Sequence, residues 1–100
     1  MLIEWREERT VLSVAGDIDL NDVEELGSAL REAAAASNSP VLDMREVSFM
    51  GSEGLRTIIS AVRDFPPHVA LTILPSRPVK RLLDVTGVPS VLTNLRVLPE

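Results

Sequence analysis

The sequence contains no cysteine, which excludes disulfides, thiol chemistry and cysteine-ligated metals. It has only three aromatic residues, which argues against the stacking platforms that bind single-stranded nucleic acids. No apolar run approaches the roughly 18 residues that a membrane-spanning helix requires. The N-terminal segment carries acidic residues and no long apolar stretch, so it does not resemble a secretory signal. These absences predict a cytoplasmic protein with no membrane span.

Basic residues are scarce as well, because 10 lysines and arginines stand against 15 aspartates and glutamates. The net charge of -5 is a poor electrostatic match for nucleic acid, so we expect no direct contact with DNA or RNA. A length of 100 residues, with 45% apolar and 25% charged side chains, is typical of one folded domain. We assign that domain to residues 1–100.

The chain also lacks the motifs of common active sites. It has a single histidine, His68, and no Gly-x-x-x-x-Gly-Lys-(Ser/Thr) phosphate loop. Residues 51–54 (Gly-Ser-Glu-Gly) do not fit the Gly-x-Ser-x-Gly nucleophile elbow. Asp17 and Asp19 are neighbouring carboxylates, but without a third ligand they are weak evidence for a metal. The sequence predicts no enzyme, no cofactor and no metal; a small hydrolase acting through Ser52 is the remaining enzymatic alternative.

Strands and helices alternate along the chain. β-Branched and apolar runs predict strands over residues 2–6, 10–15, 41–44, 69–74 and 95–98. Apolar residues at three- and four-residue spacing predict a helix in each of the three long intervals between the later strands. The order β-β-α-β-α-β-α-β indicates an α/β fold, with a mixed sheet of four to five strands flanked by three helices. A short connection predicts that the first two strands pair as an antiparallel hairpin.

Helix caps are predicted at three places. Asn21 precedes the first helix and has Glu24 at the capping-box spacing. Ser52 precedes the second helix, and either Ser76 or Arg77 begins the third. On this structural interpretation Ser52 needs no further role, because serine is a preferred cap.

Residues 48–55 carry the strongest functional pattern. Phe49 and Met50 are interpreted as the end of a buried run, after which a Gly-Ser-Glu-Gly turn leads into the second helix. The hydroxyl of Ser52 is thereby placed at a helix N-terminus, where backbone N–H groups and the helix dipole favour negative charge. The ends of parallel strands cluster at one sheet edge, so Asp17 and Asp19 either share this surface or serve only as turn and capping residues.

Three motifs resemble one known family. Residues 16–19 (Gly-Asp-Ile-Asp) resemble its Gly-(Glu/Asp)-(Leu/Ile)-Asp strand end. Residues 47–55 (Val-Ser-Phe-Met-Gly-Ser-Glu-Gly-Leu) resemble its apolar pair followed by Asp-Ser-(Ser/Thr)-Gly-Leu, and residues 78–88 resemble its third helix. With these motifs in the right order and spacing, the chain is similar to a STAS domain of the bacterial anti-sigma-factor antagonist type.

The resemblance implies a role in partner switching. In that family, the serine that falls on Ser52 accepts a phosphoryl group from an anti-sigma factor that is also a serine kinase. The unphosphorylated antagonist binds this factor and frees the sigma factor, and a serine phosphatase restores the modified form. We expect the free protein to be a monomer or a weak dimer. The expected partner-binding surface comprises Asp17, Asp19, Gly51, Ser52, Glu53, Gly54 and Arg56.

Two positions depart from the family pattern. Gly51 stands where the family has Asp, and Glu53 stands where it has Ser or Thr. Glu53 is either a favourable acid in the first helical turn or a built-in charge that partly mimics the modification. These departures keep an alternative open, in which the chain is a STAS scaffold or transporter-accessory subunit that is never phosphorylated.

Overall fold

The computed structural model describes residues 1–88 and 92–98. Within them, strands and helices follow the predicted order, and a short 3₁₀ turn, Leu20–Asp22, precedes the first helix. The elements are β1 (Leu2–Arg6), β2 (Val11–Ile18), α1 (Val23–Ala36), β3 (Val41–Met50), α2 (Ser52–Arg63), β4 (Leu71–Pro75), α3 (Arg77–Thr86) and β5 (Leu95–Val97). The predicted α/β fold is therefore confirmed.

The sheet has five strands in the spatial order β1-β2-β3-β4-β5. β1 runs antiparallel to β2, as the hairpin prediction required, and β2 to β5 are parallel to one another. Every crossover helix therefore links neighbouring strands and advances in the same direction across the sheet. With right-handed crossovers, this order puts all three helices on one face.

Burial along the strands agrees with a single covered face. In β2, Leu12 and Val14 are fully buried, whereas the alternate residues Val11 and Ser13 are half-buried. The covered face and the apolar stripes of the helices form one hydrophobic cluster. The helices contribute Leu26 and Leu30 from α1, Leu55, Ile58 and Val62 from α2, and Val79 and Leu83 from α3.

The other sheet face carries one buried charge, Asp43. Its carboxylate accepts hydrogen bonds from Arg45 Nε at 3.0 Å, Arg45 Nη2 at 2.8 Å and Arg6 Nη2 at 2.7 Å. The hydrogen bond from Arg45 lowers the pKa of Asp43 from 3.8 to about 2, against the opposing effect of burial. A buried carboxylate held by two guanidinium groups is satisfied, so this cluster ties β1 to β3.

β2 and β3 extend beyond their predicted ends, and this changes the environment of Phe49. Two irregularities in the β2–β3 register allow pairing to continue to Ile18 and Met50. The prediction that Phe49 ends a buried run is wrong, because its side chain is 56% exposed. Met50 is buried as expected.

Of the two cap residues predicted for α3, the structure selects Ser76, and the cap predictions for the other two helices are wrong. Ser76 caps α3, with its Oγ accepting from the backbone N–H of Val79 at 3.5 Å. Before α1, Asp19 and Asp22 form the capping box of the 3₁₀ turn, and Asn21 only donates its backbone N–H to Asp19. The side-chain cap lies at Asp19, two residues before Asn21, because a 3₁₀ turn precedes α1.

Candidate functional site

The ends of β2 and β3 bring the sequence-predicted residues to one edge of the sheet. Asp17 pairs with Phe49, and Ile18 pairs with Met50, in parallel register. β2 leads directly into the 3₁₀ turn, and β3 leads into α2, which contacts that 3₁₀ turn. The carboxyl ends of parallel strands are where open α/β sheets place their binding loops. This edge, from Asp17 to Asp19 and from Ser48 to Arg56, is called the switch edge below.

Ser52 is exposed at the start of α2. Gly51 occupies the N-cap position with φ -87° and ψ -177°, and no side chain caps the helix. The prediction that Ser52 is the cap is therefore wrong, because Ser52 is already the first helical residue. Its hydroxyl remains at the positive end of the helix dipole, next to backbone N–H groups that no side chain accepts from.

Glu53 folds back over Gly51. A β-carbon built on Gly51 would lie 2.5 Å from Glu53 Oε1 and 3.3 Å from its Cδ. The space beside Gly51, where a side chain at position 51 would begin, is thus filled by the carboxylate of position 53. The two departures from the family pattern are therefore one local arrangement, in which the carboxylate of Glu53 takes the space of the side chain that Gly51 lacks.

Gly54 positions α2 and does not present a side chain. A β-carbon on Gly54 would lie 2.6 Å from Met50 Cγ and 3.3 Å from Ile18 Cγ2. Gly54 is buried, so the missing side chain lets α2 approach the ends of β2 and β3 closely. Gly54 therefore contributes to the switch edge by setting the position of α2.

Asp17 and Asp19 are both exposed, but they have different partners. Asp17 Oδ1 accepts a hydrogen bond from Ser48 Oγ at 2.7 Å, which joins the two strand ends. Asp19 Oδ1 accepts from the backbone N–H of Asn21 at 2.9 Å and serves the 3₁₀ turn. The motifs in the sequence give Ser48 no role, since its bond to Asp17 depends on β3 extending in register with β2.

Arg56 is an exposed cation one helical turn after Ser52. No ion pair joins it to a carboxylate in the described part of the chain. Side chains four residues apart on a helix are neighbours, so the guanidinium lies on the Ser52 side of α2.

The switch edge has no grouping that suggests metal chemistry. Across residues 1–88 and 92–98, no three His, Cys, Asp or Glu side chains come together as a metal site would require. Among the same residues, no helix is both long and apolar enough to cross a membrane. His68 is exposed and precedes β4, at the opposite edge of the sheet from the end of β3, so it is not placed to act as a base for Ser52.

These features define a small α/β module whose strand ends present a serine hydroxyl among carboxylates at a helix N-terminus. The family model described as "Mlab, STAS domain" matches residues 1–95. The chain therefore belongs to the STAS domain family, as its motifs predicted.

Solved structures share this fold. An anti-sigma factor antagonist from Mycobacterium paratuberculosis is 26% identical with a TM-score of 0.77, and the match covers 95% of this chain and 82% of that one. The anti-sigma factor antagonist SpoIIAA in its unphosphorylated form is 17% identical with a TM-score of 0.67, covering 99% and 87%. At that identity the second match supports the fold alone. Among curated proteins, none matches the sequence significantly.

Proposed function

We propose that this chain is an anti-sigma-factor antagonist that binds a kinase-type anti-sigma factor through the switch edge. Phosphorylation of Ser52 by that factor switches binding off, and a serine phosphatase restores it. The observation that carries the proposal is the exposed Ser52 hydroxyl, which is free of a capping role at the N-terminus of α2. The anti-sigma factor antagonist from Mycobacterium paratuberculosis, which is 26% identical, supports the partner class.

The switch follows from charge. A phosphoryl group adds about -1.5 to -2 charges at neutral pH. The helix dipole and Arg56 favour that charge within the free protein, whereas a partner packed over the switch edge would have to desolvate it. Glu53 and Asp17 add like charge nearby, so the phosphorylated edge becomes strongly anionic.

Intact-mass spectrometry tests the phosphorylation step. The protein is incubated with ATP and a kinase-type anti-sigma factor from the same genome, and its mass is followed with time. We expect one added phosphoryl group on the wild type and none on Ser52→Ala. Ser60→Ala, an exposed serine on the same helix, is the matched control and should be modified like the wild type. An unmodified wild type that still binds the factor would remove the switch and leave the binding role.

A second candidate function is a STAS scaffold or transporter-accessory subunit that is never phosphorylated. The position of the Glu53 carboxylate over Gly51 favours it, because a permanent negative charge lies beside the residue that precedes Ser52. Affinity purification from cells separates the two functions. Recovery of a membrane transporter in place of a histidine-kinase-like ATPase would favour the second.

A further inference from the structure

An open cleft of about 320 Å³ lies between the end of β3 and α3, directly beside the switch edge. Two of its apolar side chains are strongly exposed, Phe49 at 56% and Val85 at 79%. The half-buried Leu82 packs against the core beneath them. This α3 cleft is lined by Phe49, Met50, Pro78, Arg81, Leu82 and Val85.

The α3 residues of the cleft form a single stripe. Pro78, Arg81, Leu82 and Val85 have the spacing i, i+3, i+4 and i+7, so they lie along one face of the helix over two turns. A second helix laid beside α3 presents its own apolar side chains at the same spacing, which is how an amphipathic helix fills a groove. Phe49 gives the cleft a large aromatic contact, the type of residue that dominates binding interfaces.

The charge at the rim indicates which helix fits. Lys80 is neutralised by Asp84, at 2.7 and 2.9 Å, whereas Arg81 makes no ion pair with a carboxylate in the described part of the chain. Arg77 is a second exposed cation one turn earlier on α3. In a chain with a net charge of -5, this basic rim favours a partner segment with acidic side chains.

We propose that the α3 cleft docks an acidic amphipathic helix of the anti-sigma factor, with apolar residues on Phe49 and Val85 and an Asp or Glu on Arg81. This inference rests on the proposed function, because it extends the partner surface from the switch edge onto α3. Phe49 and Met50 belong to both the switch edge and the α3 cleft, so the two surfaces are continuous.

Two other occupants fit the cleft less well. A symmetric dimer centred on it would bring Arg81 towards the same residue of the second copy. An anionic membrane would meet the two arginines favourably but would repel a protein of net charge -5. Both become outcomes of the test.

The first experiment measures the affinity of the anti-sigma factor for single variants of the α3 cleft. We expect Phe49→Ser, Val85→Ser and Arg81→Glu each to weaken binding about tenfold or more. Leu2→Ser, at 76% exposure on β1, and Arg63→Glu, exposed at the end of α2, are matched controls that should bind like the wild type. Wild-type affinity in all three cleft variants would overturn the cleft proposal and leave the proposed function standing. A wild type that does not bind the factor would overturn both.

A second experiment tests the cleft chemistry without the natural partner. Two designed amphipathic peptides carry the same leucine stripe, flanked by glutamates in one and by lysines in the other. We expect the glutamate peptide to shift the amide NMR signals of Phe49, Leu82 and Val85, and Arg81→Glu to reverse the preference. Equal shifts with both peptides, or none, would overturn the assigned chemistry. The contrary outcomes are that the wild type sediments as a dimer or binds phosphatidylglycerol vesicles. If Phe49→Ser abolishes that dimer or that vesicle binding, the cleft is assigned to a second copy or to a membrane, and the proposal is overturned.

Discussion

The Glu53 carboxylate lies over Gly51, at 2.5 Å from where a β-carbon on residue 51 would stand. The STAS motif that residues 47–55 resemble has an aspartate at position 51, and the absence of that side chain here leaves room for Glu53. An aspartate at position 51 and the glutamate at position 53 would place their carboxylates in the same space, so both together would crowd it with like charge. The two positions should therefore behave as a coupled pair.

A double-mutant cycle measures this coupling. An aspartate at the N-cap normally stabilises a helix. Adding Gly51→Asp to the Glu53→Ser variant should therefore raise its free energy of unfolding. In the wild-type background the same change should be neutral or destabilising, because Glu53 must move away. We expect a coupling free energy of about 0.5 to 1 kcal/mol from urea denaturation. Additive single effects would show that the two residues act independently.

Gly54 should tolerate no side chain. Gly54→Ala places a β-carbon 2.6 Å from Met50 Cγ, and we expect a loss of about 1 to 3 kcal/mol in the free energy of unfolding. Ser60→Ala on the same helix is exposed and should be neutral or slightly stabilising, since alanine has the higher helix propensity. Urea denaturation followed by circular dichroism compares the two. A Gly54→Ala protein as stable as the wild type would contradict the close approach of α2 to the strand ends.

The β1–β2 hairpin loop offers a stabilising change. Glu7, Glu8 and Arg9 have positive φ values of 52°, 54° and 71°, a conformation that costs non-glycine residues free energy. Glu8→Gly should raise the free energy of unfolding by about 0.5 kcal/mol, after the entropy that glycine loses on folding. Glu4→Gly, in the extended β1, is the control and should be destabilising. Thermal unfolding measures both variants. The midpoint temperature should rise for Glu8→Gly and fall for Glu4→Gly, and a fall in both would contradict the prediction.

The charge on Asp43 makes the free energy of unfolding depend on pH. Its pKa is lowered from 3.8 to about 2 by Arg45 and Arg6, so its contribution is present above the unfolded-state pKa. As the pH falls from about 4 to about 2, the carboxyl takes up a proton and that contribution is lost. Asp43→Asn should lower the free energy of unfolding at pH 7 by about 1 to 2 kcal/mol, with both arginines partly exposed to solvent.

Urea titrations at pH 7 and pH 3 check the Asp43 prediction. The difference between the wild type and Asp43→Asn should shrink at the lower pH. Asp64→Asn is the control, because Asp64 pairs with Arg31 at 3.0 Å on an exposed surface. If the difference in the free energy of unfolding between the wild type and Asp43→Asn is the same at both pH values, the charge of Asp43 does not contribute to stability.

Local sequence signals account for the element order and for part of the site. The apolar period places α1, α2 and α3. The sequence narrows the α3 cap to Ser76 or Arg77, because the partner of Ser76, Val79, is only three residues away. The burial predicted for Phe49 is wrong because its exposure depends on the register of β2 against β3. That register shifts twice before the two strands end. The prediction of an Asn21 cap is wrong for a local reason, since a 3₁₀ turn capped by Asp19 and Asp22 precedes α1.

The sequence by itself determined the α/β fold, the STAS motifs and the place of Ser52 at the start of a helix, because these depend on residues close together in the chain. Only the tertiary structure decided that Glu53 fills the space over Gly51, that Ser48 bonds to Asp17, and that Phe49 faces solvent beside α3. Those relationships depend on side-chain rotamers, on strand register and on packing between elements far apart in sequence. The periodicity of apolar residues carries no information about them.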